Sequence, residues 1–231
     1  MTRTKHCKTI SLNLISGQSD FLGLYQCTHE RTLWTAGYEY VAGIDEVGRG
    51  ALAGPVTAAA VVFHPNSNLE TLRNVRDSKK LTAKERVRLD IEIKKSSMTW
   101  GIGWASAKEV DDVGIVPATA LAMDRAVLQL SPKPDYFLVD GNRPLLSYGP
   151  TEAIVHGDAL VMSISAASIV AKVARDVWME QLSHKFLDYG FVTNKGYGTS
   201  AHLKALTESG PSPEHRRSFA PLRNRSDRTH A

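Results

Sequence analysis

The sequence is poor in cysteine and contains no long run of apolar residues. Of its 231 residues only two are cysteines, Cys7 and Cys27, and both lie close to the N-terminus. A disulfide framework is therefore excluded for the body of the protein, and a reducing, cytoplasmic compartment is expected. No apolar stretch approaches the roughly 20 residues that a membrane-spanning helix needs, and the N-terminus lacks the apolar run of a secretory signal. We therefore expect neither membrane insertion nor export.

The remaining composition is that of an ordinary globular protein, with 42% hydrophobic, 23% charged and 7% aromatic residues. At roughly 100–200 residues per domain, the length predicts one catalytic-size domain with a smaller appendage. Lysine and arginine outnumber aspartate and glutamate by 28 to 24, a net charge of +4. This small surplus favours a polyanionic partner. It is concentrated beyond Glu214, where the chain contains Arg216, Arg217, Arg223, Arg225 and Arg228 against Asp227 alone.

Hydrophobic periodicity predicts an α/β fold. Apolar runs or alternation predict five strands, namely 40–45, 55–63, 98–106, 135–140 and 152–156. Helical spacing or a start signal marks 82–97, 117–130, 163–185 and 200–209. In the longest of these helices we place Lys172, Arg175, Asp176 and Glu180 on the polar face. The order of the elements predicts a mixed sheet flanked by helices, with a helical appendage at the C-terminus.

The chain divides into four parts on these grounds. Residues 1–29 have no steady periodicity and form an N-terminal extension that we leave unassigned. We expect residues 30–185 to form the main domain, residues 186–222 a C-terminal segment, and residues 223–231 a basic tail.

The most informative segment joins two acids to a glycine-rich turn. Asp45 and Glu46 follow a short apolar run and precede Gly48 and Gly50. Adjacent carboxylates repel each other unless a cation lies between them, and glycines allow a backbone to approach a ligand closely. The alternative is a solvated strand end, which is common for a pair of acids.

Two further acids, Asp140 and Asp158, follow other predicted strands. Alone, each would be read as part of a turn. Strand ends can converge at one edge of a sheet, so the four carboxylates together would suit a hard divalent cation such as Mg²⁺. A pair of such ions stabilises both the attacking and the leaving oxygen when a phosphodiester is hydrolysed. The chain has no evident Cys-based or Ser-His-Asp nucleophile that would favour another route.

Basic and aromatic residues form a second group of candidates. Lys79 and Lys80 precede the capped helix, Lys172 lies on the longest helix, and Tyr197 lies between two glycines before the last helix. Aromatic rings stack on sugars or bases, and cations contact phosphates. For each lysine the alternative is a solvated surface position, and for Tyr197 it is a half-buried loop position.

The segment Gly48-x-Gly50-x-x-Ala53 also matches the fingerprint of dinucleotide-binding oxidoreductases. Two observations argue against that function. The acids at 45 and 46 would lie beside the pyrophosphate, and the glycines are followed by Pro55 and a strand-like run where the fingerprint requires a helix.

Read together, seven segments resemble the type 2 ribonuclease H family, also called ribonuclease HII, over about residues 30–222. In chain order they are Val41–Gly50, Asp77–Leu81, Val139–Asn142, His156–Asp158, Ser163–Asp176, Asn194–Thr199 and His215–Phe219. The Gly-Arg-Gly turn resembles type 2 enzymes more than type 3 enzymes, which tend to carry Gly-Lys-Gly. Ala51 departs from the family, which usually has proline there, and residues 1–29 have no recognisable counterpart.

This resemblance implies an RNase H-like fold with a mixed five-stranded sheet and a monomeric, metal-dependent endonuclease using Mg²⁺ or Mn²⁺. The implied substrate is the RNA strand of RNA–DNA hybrids, including single ribonucleotides within duplex DNA. Cleavage on the 5′ side of the ribonucleotide would leave 3′-hydroxyl and 5′-phosphate ends. The alternative is a protein that binds hybrid duplexes without cleaving them.

The resemblance also assigns roles to individual residues. It makes Asp45, Glu46, Asp140 and Asp158 the catalytic, metal-binding carboxylates. Gly48, Arg49 and Gly50 match the turn that meets the 2′-hydroxyl, and Tyr197 matches the aromatic that packs on the neighbouring sugar. Lys79, Lys80 and Lys172 are candidate contacts to the nucleic-acid backbone.

Overall fold

The protein has a central five-stranded sheet. A computed structural model describes residues 27–72, 75, 81–146 and 148–223. The strands are β1 (Val41–Val47), β2 (Val56–Val62), β3 (Thr99–Ala105), β4 (Tyr136–Asp140) and β5 (Thr151–Ile154), and their order in the sheet is β3-β2-β1-β4-β5. Strand β2 is antiparallel to both of its neighbours, whereas β1, β4 and β5 are mutually parallel. The predicted mixed five-stranded α/β fold is confirmed.

Helices cover both faces of this sheet. They are α1 (Thr28–Thr35), α2 (Ala83–Ser96), α3 (Ala107–Val113), α4 (Ile115–Leu128), α5 (Gly157–Leu160), α6 (Met162–Ser183), α7 (Phe191–Asn194) and α8 (Ser200–Ser209). Short 3₁₀ turns lie at Glu70–Leu72 and Leu187–Tyr189. The predicted helices at 82–97, 117–130, 163–185 and 200–209 correspond to α2, α4, α6 and α8. Helices α1, α3, α5 and α7 were not predicted, and α1 spans the proposed boundary between residues 29 and 30.

The core has two layers because the side chains of β2 alternate between the faces of the sheet. Val56, Ala58 and Ala60 belong to the cluster that packs against α4. Ala59 and Val61 belong to the cluster formed with α2 and α6. Every residue of β2 is buried. This explains why the strand is apolar at every position except Thr57 instead of alternating between polar and apolar residues.

Glycine allows α6 to approach the centre of the sheet closely. A Cβ atom at Gly43 in β1 would lie 2.2 Å from the carbonyl carbon of Ser163 in α6. No real side chain tolerates that distance, so this position requires glycine. The start of α6 is thereby held beside the acidic end of β1.

The C-terminal segment packs on the turn that follows β1. Leu52 and Ala53 share an apolar cluster with Met179, Phe191 and Leu206. The amide of Arg216 donates to the carbonyl of Leu52 at 2.8 Å, and Ala53 forms an isolated bridge with His215. None of the described helices combines the length and apolarity needed to cross a bilayer.

Candidate active site

The four acids singled out from the sequence lie in one pocket. Asp45 and Glu46 are in β1, Asp140 ends β4, and Asp158 lies in α5 just beyond β5. Because β1, β4 and β5 are parallel, their ends bring these residues to one edge of the sheet. The amide of Asp158 donates to Oδ1 of Asp140 at 3.3 Å. The convergence expected from the sequence is therefore present.

Burial makes the charged forms of two of these acids costly. Burial raises the pKa of Asp45 well above its usual range, and the charges of Glu46 and Asp140 raise it further. Hydrogen bonds from the Glu46 amide and the Ser168 side chain oppose this rise only in part. Burial also raises the pKa of Glu46, against the opposing effect of Arg49, whose Nη1 donates to Oε1 at 3.0 Å. A nearby cation would favour the ionised forms of both groups.

The donor set fits a hard divalent cation. Oε2 of Glu46 is buried and has no hydrogen-bond partner, and carboxylate oxygens are the ligands that Mg²⁺ and Mn²⁺ prefer. As the side chains stand, no three acidic, histidine or cysteine groups among the described residues form a ready-made metal site. Protein donors already occupy Oε1 of Glu46 and Oδ1 of Asp140. A cation would have to compete with these donors.

The glycine turn beside the acids exposes two backbone amides. Gly48 has φ +87°, and a Cβ there would lie 2.2 Å from Nε of Arg175, so only glycine fits. Arg49 and Gly50 are exposed, and space around Gly50 is open. Among the hydrogen bonds between described backbone groups, neither amide of these two residues takes part. Both N–H groups are therefore available to a ligand.

Tyr197 lies next to this turn. Its segment joins the turn through the carbonyl of Gly196, which accepts from the amides of Leu52 at 2.8 Å and Ala53 at 3.2 Å. The ring is 36% exposed, and the guanidinium carbon of Arg175 lies 5.5 Å from its centroid. The structure thus brings the glycine turn and Tyr197 together.

The prediction that Arg175 lies on the polar face of the long helix is wrong. Its side chain is completely buried. It donates to the carbonyls of Pro55 at 2.9 Å, Lys195 at 2.9 Å and Ala53 at 3.1 Å. These carbonyls would otherwise lack donors in the interior, which is costly. Arg175 therefore connects α6 to the turn that follows β1 and to the segment that precedes Tyr197.

Arg216 has a similar place, although the sequence put it in the basic C-terminal region. It is also completely buried, and its guanidinium donates to the carbonyls of Gly54 at 2.8 and 3.0 Å and of Arg49 at 2.9 Å. Burial lowers the pKa of Arg216 to about 9, and the Arg175 charge adds to this shift. Arg216 stabilises the glycine turn from inside and is not part of the exposed basic surface.

The predicted lysines have different outcomes. Lys172 lines the acidic pocket, where its Nζ donates to Oδ1 of Asp176 at 2.6 Å. Lys79 and Lys80 lie outside the described residues, as do Arg225 and Arg228 in the tail.

Two residues that line the acidic pocket, Arg86 and Ser168, were not predicted from the sequence. A signal for each was available. Ser168 precedes Lys172 by four positions on one helix, so both share a face. Arg86 lies in the second turn of the capped helix α2, whose N-terminus follows the basic segment at 79–80.

Comparison with known proteins identifies the family. The family model described as Ribonuclease HII matches residues 42–222. The chain is 55% identical to ribonuclease HII of Acidovorax sp. (strain JS42) over 183 residues, which cover 79% of this chain and 86% of the relative. It is 50% identical to ribonuclease HII of Synechococcus sp. (strain JA-3-3Ab) over 196 residues, covering 84% and 88%.

A solved structure agrees with this match. The crystal structure of ribonuclease H2 from Pyrococcus horikoshii OT3 superposes with a TM-score of 0.70 at 29% identity, over 83% of this chain and 99% of the other. The range matched by the family model, residues 42–222, includes the four acids of the pocket, the neighbouring glycine turn and Tyr197. The chain therefore belongs to the ribonuclease HII family and is an endoribonuclease that hydrolyses phosphodiester bonds.

Proposed function

We propose that this enzyme nicks duplex DNA on the 5′ side of an embedded ribonucleotide and also cleaves the RNA strand of RNA–DNA hybrids. The products would carry 3′-hydroxyl and 5′-phosphate ends. The observation that carries the proposal is the position of a four-carboxylate pocket beside a glycine turn with free amides. The carboxylate pocket would carry out the hydrolysis, and the glycine turn would recognise the ribose.

The four acids would hold two divalent ions, either Mg²⁺ or Mn²⁺. Such ions lower the pKa of a water molecule and neutralise charge on the phosphate. Asp45, Glu46, Asp140 and Asp158 would orient this centre, and the buried oxygen of Glu46 would gain a partner. Water attacks phosphorus, the bond to the 3′ oxygen breaks, and that oxygen leaves as a hydroxyl after protonation. No protein nucleophile is required.

The glycine turn would distinguish RNA from DNA. The 2′-hydroxyl is the group by which a protein tells the two apart. Free amides at Arg49 and Gly50 can donate to it, and the open space at Gly50 lets a sugar come close. The half-exposed ring of Tyr197 would pack on the sugar next to the scissile phosphate.

The lysines would hold the nucleic-acid backbone. Lys172 lines the pocket that contains the acids, so a phosphate entering the pocket would compete with Asp176 for its ammonium group. We assign Lys79 and Lys80 the same role from their position in the sequence.

We further infer that residues 30–185 form the catalytic part, that residues 186–222 contact substrate, and that the enzyme acts as a cytoplasmic monomer.

A nicking assay tests this proposal. The wild-type protein is incubated with Mg²⁺ or Mn²⁺ and a labelled DNA duplex that contains one ribonucleotide. We expect a single nick 5′ to the ribonucleotide and no cleavage of the matched all-DNA duplex. Asp140→Asn should lower kcat by about 100-fold or more, since it removes a carboxylate from the reacting centre.

The matched control is Asp112→Asn. Asp112 is an exposed aspartate on α3 that pairs with Lys108 at 2.6 Å. This variant should keep wild-type activity. An intact ribonucleotide strand with the wild-type enzyme under both metals would overturn the proposal.

A further inference from the structure

Two histidines form a buried pair behind Tyr197. His202 lies in the first turn of α8 and is completely buried, and His215 is 2% exposed. Their Nε2 atoms are 2.9 Å apart. At this distance one nitrogen must donate a proton and the other must accept it.

The neighbours of the pair determine where each proton lies. Nδ1 of His202 is 2.9 Å from the carbonyl oxygen of Tyr197, and a carbonyl can only accept, so this nitrogen carries a proton. Nδ1 of His215 is 3.0 Å from the amide nitrogen of Ser212, which can only donate, so this nitrogen carries none. In neutral His215 the proton is then on Nε2, which donates to Nε2 of His202. One arrangement of two neutral rings satisfies all four nitrogens.

The surroundings favour these neutral rings. Burial lowers the pKa of His202, and burial together with the charges of His202 and Arg217 lowers the pKa of His215 to about 4. The titratable neighbour on the other side is Tyr189, whose ring centroid lies 4.8 Å from that of His215. Phe191 completes the apolar surroundings, 5.5 Å from His202. No carboxylate takes part in a hydrogen bond of this pair among the described residues.

The histidine pair is hydrogen-bonded to the backbone carbonyl of Tyr197. That carbonyl accepts from His202 and from the amide of Thr199 at 2.8 Å, while the Tyr197 amide donates to the carbonyl of Asn194 at 2.9 Å. The residue lies between two glycines, and Gly196 has φ +83°. Since glycines restrict a chain weakly, these bonds define where the Tyr197 backbone lies.

We propose that His202 and His215 are positioning residues for Tyr197. The pair fixes the carbonyl of Tyr197 from the protein interior and so determines where its half-exposed ring meets the substrate sugar. This inference rests on the proposed role of Tyr197 at the ribonucleotide. It adds two residues that do not touch the substrate.

Two substitutions of His202 separate this role from simple packing. His202→Leu removes the donor to the Tyr197 carbonyl, whereas His202→Asn keeps an N–H close to the position of Nδ1. Loss of this bond should lower kcat/KM on the one-ribonucleotide duplex by about tenfold, as expected for one hydrogen bond, and Asn should recover most of the loss. Equal losses in both variants would contradict the proposal.

A double-mutant cycle with Tyr197→Ala tests whether His202 acts through Tyr197. If it does, His202→Leu should change kcat/KM by less than about threefold in the Tyr197→Ala background, because the ring that it positions is gone. A merely structural role would give the same loss in both backgrounds.

NMR gives a readout that does not depend on cleavage. Long-range ¹H–¹⁵N spectra at pH 7 should show His202 protonated on Nδ1 and His215 on Nε2. Amide exchange at Tyr197 and Thr199 should be faster in His202→Leu than in His202→Asn. Reversed tautomers, a charged ring, or unchanged exchange would overturn the positioning proposal. Absence of nicking by the wild type would overturn the proposed function alone.

Discussion

The two glycines of the turn after β1 differ in what they require. Gly48 needs both a left-handed backbone and the missing side chain, since a Cβ would meet Arg175. Gly50 has an ordinary φ, and apart from its chain neighbours none of the described residues has an atom within 4 Å of a Cβ built there. Within the folded protein alone, Gly50 has no visible reason to be glycine. A glycine at this position agrees with the close approach of a substrate sugar that we propose.

Gly50→Ala should therefore harm catalysis without harming the fold. We expect the free energy of unfolding to stay the same or rise by up to about 1 kcal/mol, because alanine restricts the unfolded chain. A methyl group against the sugar should lower kcat/KM on the one-ribonucleotide duplex by about 10- to 100-fold, the effect of a small misplacement at a reacting centre. Urea unfolding and steady-state nicking measure the two quantities.

Gly48→Ala is the matched comparison, and it should lower the free energy of unfolding because it clashes with Arg175. If Gly50→Ala cleaves as well as the wild type, no substrate group approaches this turn closely.

At the scale of residues, the acids could be predicted from the sequence but the buried arginines could not. Asp45 and Glu46 stand next to each other before glycines, which is a local signal. Arg175 lies at the margin of the apolar stripe of α6, where periodicity alone favours solvent. Its partners are the carbonyls of Ala53, Pro55 and Lys195, which only the tertiary fold brings near. The His202–His215 pair was missed for the same reason.

At the scale of elements, the long helix α6 has an unusual N-terminus. Its N-cap position is Val161, which provides no side-chain hydrogen bond. Glu30 of α1 takes this place: its Oε1 accepts from the amide of Ser163 at 2.8 Å and from the Ser163 hydroxyl at 2.7 Å. A carboxylate there also interacts favourably with the helix dipole. Helix α1 thus completes the helix that carries Ser168 and Lys172 into the pocket.

Glu30→Ala should lower the free energy of unfolding by about 1–3 kcal/mol, since it leaves two donors of Ser163 without an acceptor in the interior. Glu30→Gln keeps an acceptor oxygen and should have a smaller effect. Urea denaturation followed by circular dichroism measures both changes.

The control is Glu208→Ala, at an exposed glutamate near the end of α8 that lies 3.8 Å from Lys204. It should change the free energy of unfolding by less than about 0.5 kcal/mol. An effect of Glu30→Ala no larger than that of this control would mean that α1 does not cap α6.

The elements that the sequence predicted are those with strong local signals. Strands β2 and β4 are largely apolar runs, and α2 begins with the capping box of Thr82 and Glu85 that the structure contains. Helix α3 was missed because it has only seven residues, although Ser106 and Glu109 form an equivalent capping box. Helix α1 was not predicted because its buried residue Glu30 is polar and gives no apolar periodicity. Glu30 is buried because it accepts hydrogen bonds from Ser163 of α6, a contact that the sequence does not show.

At the scale of the whole molecule, the net charge of +4 does not describe how the charged residues are distributed. The acidic pocket gathers four carboxylates at one edge of the sheet. Two arginines are buried under the neighbouring turn, and the hydrogen bonds of their guanidinium groups all go to backbone carbonyls. Arg216 should therefore be removed from the count of arginines that meet nucleic acid. Arg217 and Arg223 remain exposed.

Duplex binding should weaken linearly on a plot of log K against log salt, because cations on the protein release counterions from phosphates. If Arg225 and Arg228 contact phosphates of the duplex, replacing both by serine should reduce the magnitude of this slope by about 0.9 for each phosphate that the protein no longer neutralises. Binding is measured by fluorescence anisotropy without divalent ions, so that the duplex stays intact. Lys108→Ser, at an exposed lysine paired with Asp112 on α3, is the control and should leave the slope unchanged. An unchanged slope in the double variant would mean that other residues make the contacts with nucleic acid, such as Lys172, which lines the pocket.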